Sequence, residues 1–99
     1  MREELDFELE EQEQVEHPKK YKVLLLNDDY TSMDFVVDVL MDIFKHPLDN
    51  AINLMLSIHK EGKAVCGVYT YELAETKIDQ VTRRAKENEY PLKAIMEEE

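Results

Sequence analysis

The run Tyr21-Lys22-Val23-Leu24-Leu25-Leu26 stops at Asn27-Asp28-Asp29, and an amphipathic segment starts almost at once. This junction constrains the fold more than any other stretch. A short β-rich apolar run between turn-forming residues reads as a strand. The segment beyond it carries Phe35, Val36, Val39, Leu40, Ile43 and Phe44 at a period of about 3.6 residues, which predicts a helix with one buried face. Thr31 or Ser32 can cap that helix, and Asp34 in its first turn suits the positive end of the dipole.

His46-Pro47 is expected to break the helix, because a residue before proline is pushed out of the α region. Pro47 then suits the first turn of a second helix. Leu48, Ile52, Met55, Leu56 and His59 form one stripe, widened by Ala51, Leu54 and Ile58, which predicts burial on more than one side. Gly62 fits the left-handed stop, with Lys60 in the last turn. Ala64-Val65-Cys66-Gly67-Val68-Tyr69 reads as a second strand, and Thr70 as the cap of a third helix with Ala74, Ile78, Val81 and Ala85 inward. Pro91 ends that segment, and Leu92-Lys93-Ala94-Ile95-Met96 is a third short strand. The order β-α-α-β-α-β, without internal repeat, closes most simply as one small sheet covered by helices, an α+β sandwich.

Charge is uneven. Residues 1–18 hold Glu3, Glu4, Asp6, Glu8, Glu10, Glu11, Glu13 and Glu16, lack a sustained apolar period and end at Pro18. They read as a flexible acidic N-terminal extension, with the folded domain spanning residues 19–99. A net charge of −11 argues against binding a nucleic-acid backbone, which needs clustered Lys and Arg. No apolar run approaches the ~20 residues of a membrane span, and the N-terminus is acidic rather than signal-like. The chain is therefore expected to be soluble and cytoplasmic, with no membrane partner. Cys66 is the single cysteine, so no internal disulfide is possible. Only Gly62 and Gly67 are present, too few for a phosphate-binding glycine loop.

Asn27, Asp28 and Asp29 admit several readings. Asn and Asp form turns by bonding their own backbone. A calcium loop fails on spacing, lacking its glycine and terminal glutamate. A shared-proton dyad is poorly served by neighbours that point oppositely in an extended segment. A further reading rests on position. Polar acceptors at the mouth of an apolar wall suit a ligand with one positive and one greasy end, such as a free peptide N-terminus followed by a large apolar side chain. Leu25 and Asn27, two apart, face the same way and fit one wall. His59 lies one turn beyond Met55, so the two can border one pocket, although a lone histidine on an apolar stripe also serves as a boundary residue. Cys66, inside an apolar strand, reads as a small buried hydrophobe rather than a nucleophile.

The chain resembles the ClpS adaptors of bacterial Clp proteases. The resemblance rests on Asn27-Asp28-Asp29-Tyr30-Thr31, on Leu54-Met55-Leu56 with His59 and Gly62, on Cys66-Gly67-Val68-Tyr69-Thr70 and on Ala74-Glu75-Thr76-Lys77. It runs from residue 21 to about 93 without a gap. Ser32 stands where the family loop commonly has proline; both residues serve the start of a helix. The resemblance implies a small three-stranded antiparallel sheet packed with three helices. It also implies a non-enzymatic adaptor that binds N-terminal degradation signals beginning with Leu, Phe, Tyr or Trp. Asn27, Asp28 and His59 would receive the α-ammonium. Leu25, Thr31, Met33, Val36, Met55, Ile58 and Leu92 would form the hydrophobic pocket, with Met33 narrowing its mouth against β-branched residues. Glu72, Glu75 and Lys77 would contact the N-terminal domain of a ClpA-type AAA+ unfoldase, and the N-terminal extension would hand substrate over. The adaptor is expected to act as a monomer, without cofactor or metal. The runner-up is an interaction domain of similar fold, as in the C-terminal domain of the ribosomal stalk protein; a small hydrolase using Asp28 or Cys66 is a third class.

Overall fold

The computed structural model describes residues 17–99, so the expected extension at 1–18 lies, but for its last two residues, outside the described residues. The elements are β1 (Lys20–Leu26), α1 (Met33–Asp42), α2 (Leu48–Glu61), β2 (Lys63–Thr70), α3 (Tyr71–Glu87) and β3 (Lys93–Glu98). The three strands form an antiparallel sheet in the order β2-β1-β3. β1 is central, which explains its unbroken apolar run: Val23, Leu24 and Leu25 are all buried. Val23 and Leu25 join the main core, while Leu24 points to the other face.

Strand β2 changes parity once. Val23 pairs with Gly67 and Leu24 with Val65, so Cys66 is an extra residue at a bulge. The bulge lets both Cys66 and Tyr69 meet the core while Val65 and Val68 face outward. Helix α3 lies across all three strands and inserts Ala74, Val81 and Ala85. Helix α2 rests against β2, and α1 packs on α2.

Several boundaries differ from expectation. Ser32 caps α1, its hydroxyl accepting the Phe35 N–H at 3.1 Å. That helix ends at Asp42 rather than at His46. Lys45 turns the chain with φ 63°, and Ile43 and Phe44 are buried in the turn instead of the helix. Two side chains pin this turn: the Lys77 ammonium donates to the Ile43 carbonyl at 2.8 Å, and the His46 ring lies 2.7 Å from the Cys66 carbonyl. Pro47 is the N-cap of α2, one residue before its first turn. Leu92 precedes β3 rather than starting it.

The largest correction concerns α2. Only Ala51 and Ile58 are buried on it, whereas Leu48, Ile52 and Leu56 are exposed. The sheet covers one side of the helix and α1 another, and nothing among the described residues covers the third. Stripe width alone therefore overstated the burial. Gly62 caps α2 as expected, with φ 93° and its N–H on the Ile58 carbonyl at 2.9 Å. Among the described residues no helix is long and apolar enough to cross a membrane.

Candidate functional site

A hollow of about 240 Å³ opens where β1 ends, between the start of α1 and the end of α2. The Asn27 N–H donates to the Gly62 carbonyl at 2.9 Å, which ties the loop after β1 to the C-terminus of α2. Residues far apart in sequence thereby share one rim. Asn27, Asp28, Asp29 and His59 supply its polar side, and Met33, Val36, Met55 and Ile58, with Thr31, its apolar side.

Asp28 organises the loop. One carboxylate oxygen accepts the Tyr30 N–H at 2.8 Å and the Thr31 N–H at 2.7 Å; the other accepts the Thr31 hydroxyl at 2.8 Å. Partial burial pushes the Asp28 carboxyl up, but the Thr31 N–H and hydroxyl and the Tyr30 N–H together outweigh it and hold the group below its ordinary value. The turn-former reading of Asp28 is thus correct. It does not exclude a binding role, since a carboxylate oxygen has two lone pairs and the outer one bonds only Thr31 here.

The structure brings together Asn27, Asp28, His59, Thr31, Met33, Val36, Met55 and Ile58. Leu25 and Leu92 are not among the lining residues; both are packed in the hydrophobic core. Asp29 lines the hollow without having been assigned a role, and its place beside Asp28 was the available signal. Glu72, Glu75 and Lys77 all lie on α3 but border different depressions. Glu72 neighbours Lys19 and Tyr21, Glu75 neighbours Ile78 and Met96, and Lys77 neighbours Asp42 and Ile43. Lys77 is not a plainly solvated lysine. Besides its bond to Ile43, its ammonium sits 5.7 Å from the centre of the Tyr69 ring. The Glu75 carboxylate, accepting from the Tyr71 phenol, raises that phenol above its ordinary range.

Cys66 is poorly placed to act as a nucleophile. Burial pushes the Cys66 thiol up to about 12, only slightly offset by the Leu25 backbone, so almost no thiolate exists at neutral pH. Among the described residues no three His, Cys, Asp or Glu side chains group as metal ligands. A larger depression of about 590 Å³ lies beside α3 and β3, lined by Glu75, Thr76, Ile78, Asp79, Thr82 and Met96, without a carboxamide or an imidazole on its rim. The hollow at the end of β1 sets carboxylate, carboxamide and imidazole over an apolar floor.

Comparison with known proteins agrees with this geometry. A family model described as ATP-dependent Clp protease adaptor protein ClpS matches residues 16–95. A relative named ATP-dependent Clp protease adapter protein ClpS, from Wolinella succinogenes, is 54% identical over 95 residues, covering 94% of this chain and 93% of the relative. One of the same name from Escherichia coli O127:H6 is 50% identical over 97 residues, covering 94% and 92%. Among solved structures, Agrobacterium tumefaciens ClpS2 bound to L-phenylalaninamide superposes with a TM-score of 0.81 at 42% identity, covering 84% of this chain and 100% of that one.

Proposed function

This chain belongs to the ClpS family of Clp protease adaptor proteins, and on that premise we propose that it binds the free N-terminus of proteins beginning with Leu, Phe, Tyr or Trp. It then delivers them to the N-terminal domain of a ClpA-type AAA+ unfoldase. The observation that carries the reading is the hollow that joins Asn27, Asp28 and His59 to Met33, Val36, Met55 and Ile58. An α-ammonium offers three donors and no acceptor, so a carboxamide oxygen, a carboxylate and a neutral imidazole nitrogen suit it. The first side chain fills the apolar floor. A volume of about 240 Å³ fits one bulky side chain rather than a longer segment. The relative bound to L-phenylalaninamide supports this, because that ligand combines an α-ammonium with one large apolar side chain.

The energies are compatible with useful affinity. Burying a large apolar side chain contributes roughly 1.5–3 kcal/mol. Each charge-assisted hydrogen bond adds about 1.5–3 kcal/mol, and lost freedom on association offsets several. Micromolar binding, about −8 kcal/mol, needs both halves of the site. Methionine at Met33 and Met55 adapts to rings and branched chains alike.

The adaptor has no chemistry of its own and works as a cytoplasmic monomer. Residues 1–18 form the extension needed for handing over substrate, and Glu72, Glu75 and Lys77 contact the unfoldase. Fluorescence anisotropy tests the binding step with a labelled peptide beginning with Phe, its N-acetylated twin and a version beginning with Ile. The free Phe peptide is expected to bind at micromolar concentration or tighter, and the other two at least ~tenfold more weakly. Equal binding of all three, or none, overturns the proposal.

A further inference from the structure

Strand β3 leaves one edge of the sheet open. It is a terminal strand, bonded to β1 alone among the described residues. In an antiparallel pair, successive residues turn their N–H and C=O groups to alternate sides. The Glu99 N–H bonds the Lys20 carbonyl at 2.9 Å, so Glu97 and Ile95, two and four residues back, also bond towards β1. Ala94, Met96 and Glu98 turn their groups outward, where no strand meets them among the described residues. A row of unpaired donors and acceptors is a template for one more strand.

The space beside this edge is shaped for side chains. Lys77, Gln80 and Arg84 of α3 face Asp42 and Ile43 at the end of α1. Glu75, Asp79 and Thr82 face the other way, beside Met96. The depression of about 590 Å³ therefore opens on the far side of α3 from α1, along the free margin of β3, where the inward side chains of an added strand would lie. Ile78 and Met96, both partly buried against the core, give it an apolar floor.

Its margin is acidic. Glu75 and Asp79 stand on α3, and Glu97, Glu98 and Glu99 at the end of β3. Arg83, Lys63 and Lys19 pair with Asp79, Glu97 and Glu98. Glu75 and Glu99 form no ion pair among the described residues, so negative charge is left over. A second copy is a poor occupant, because it brings Lys93 and three more glutamates to the edge with a net charge of −11 behind them. The chain's own residues 1–16, with eight acids against Arg2, match no better.

We propose that the free edge of β3 takes up an extended segment of another protein, one that sets an apolar side chain over Ile78 and Met96 and carries Lys or Arg beside it. The acids that keep copies apart select a cationic strand. This surface lies across the sheet from the hollow at the end of β1 and does not depend on the reading of that hollow.

The probe is a labelled, N-acetylated peptide, Lys-Val-Thr-Val-Arg-Thr, added to the full chain; acetylation keeps it out of the hollow. Hydrogen exchange at the Met96 and Glu98 amides should slow at least ~tenfold with the peptide bound, while Ile95 and Glu97, already bonded to β1, keep their rates. Glu in place of Lys and Arg should weaken binding at least ~tenfold, by an amount that shrinks in high salt. Of two versions N-methylated at alternate amides, one should lose binding and the other keep it, because a strand uses one edge. Met96→Pro removes an outward N–H without touching the β1 ladder, a change that edge strands accept; the melting temperature should hold and binding fall at least ~tenfold. Unslowed exchange at Met96 and Glu98, equal binding of the Glu peptide, or equal binding of the two methylated versions overturns the proposal on the wild-type chain alone. Protection of Met96 and Glu98 without peptide, lost on removing residues 1–16 or on dilution, assigns the edge to the chain's own extension or to a second copy and likewise overturns it.

Discussion

At the scale of single residues, Asp28 and Asn27 separate structure from binding. Asp28 accepts three hydrogen bonds from its own loop, whereas Asn27 is exposed and anchored by its backbone N–H. Asn27→Ala should therefore leave the melting temperature nearly unchanged and weaken peptide binding about tenfold, the loss of one charge-assisted bond. Asp28→Ala should do both, lowering stability by about 1–2 kcal/mol as it frees the Tyr30 and Thr31 donors. The two are distinguished by urea melts run beside anisotropy. Asp28 also gives a pH signature. Its carboxyl is held below the ordinary value in the folded chain, so its contribution is complete above the unfolded carboxylate pKa of about 3.9 and is lost as pH falls through the lower folded value. The stability gap between wild type and Asp28→Asn should be constant from pH 7 to about 5 and close at lower pH. A gap that stays constant at low pH would show that the loop bonds do not depend on the charge.

At the scale of elements, α3 ends in a Schellman turn. The Glu89 N–H bonds the Lys86 carbonyl at 3.1 Å, the Tyr90 N–H bonds the Ala85 carbonyl at 2.9 Å, and Glu89 takes φ 61°. Tyr90 then packs on Phe35 with ring centres 4.7 Å apart, joining the end of α3 to the start of α1. A left-handed glutamate costs about 1–2 kcal/mol that glycine does not. Glu89→Gly should therefore raise stability by up to about 1 kcal/mol, net of glycine's greater unfolded entropy, visible as a higher denaturant midpoint at constant slope. A lower midpoint would show that the glutamate side chain contributes more than the strain it brings. The same elements show what the sequence could and could not disclose. Strand β1, a cap at Thr31 or Ser32 and the stop at Gly62 were legible because each follows from local chemistry; the structure selects Ser32. The early end of α1 was not. It depends on Lys77 reaching the Ile43 carbonyl from a distant helix and on His46 meeting the Cys66 carbonyl. The exposed side of α2 was hidden for a related reason: an apolar stripe has the same spacing whether it is covered or left exposed. The polar rim was readable as acceptors at the end of a strand. Placing His59 beside it required the bond between Asn27 and Gly62 that closes the hollow.

At the scale of the whole molecule, the proposed function assigns binding and delivery to separate parts of the chain. Among the described residues, those lining the hollow lie between Asn27 and His59, and its supports lie in the sheet and the three helices. Residues 1–16 hold eight acids against Arg2 alone, a net −7 of the chain's −11. Removing them brings the net charge from −11 to −4, so a loss of function on truncation could come from charge as well as from length. Charge acts over a Debye length, about 8 Å at physiological salt, and governs encounter rates more than dissociation. Length acts by reach. A variant beginning at residue 17 should bind a Phe-starting peptide with the full-length affinity but fail to promote its degradation by a ClpA-type unfoldase and its peptidase. A second variant, in which the eight acids become Gln and Asn at unchanged length, separates the two causes. If the extension acts as a tether, the neutral version restores delivery; if it acts through its charge, delivery stays low and the full-length chain becomes salt-sensitive. Loss of peptide binding in the truncated chain would overturn the division of labour itself.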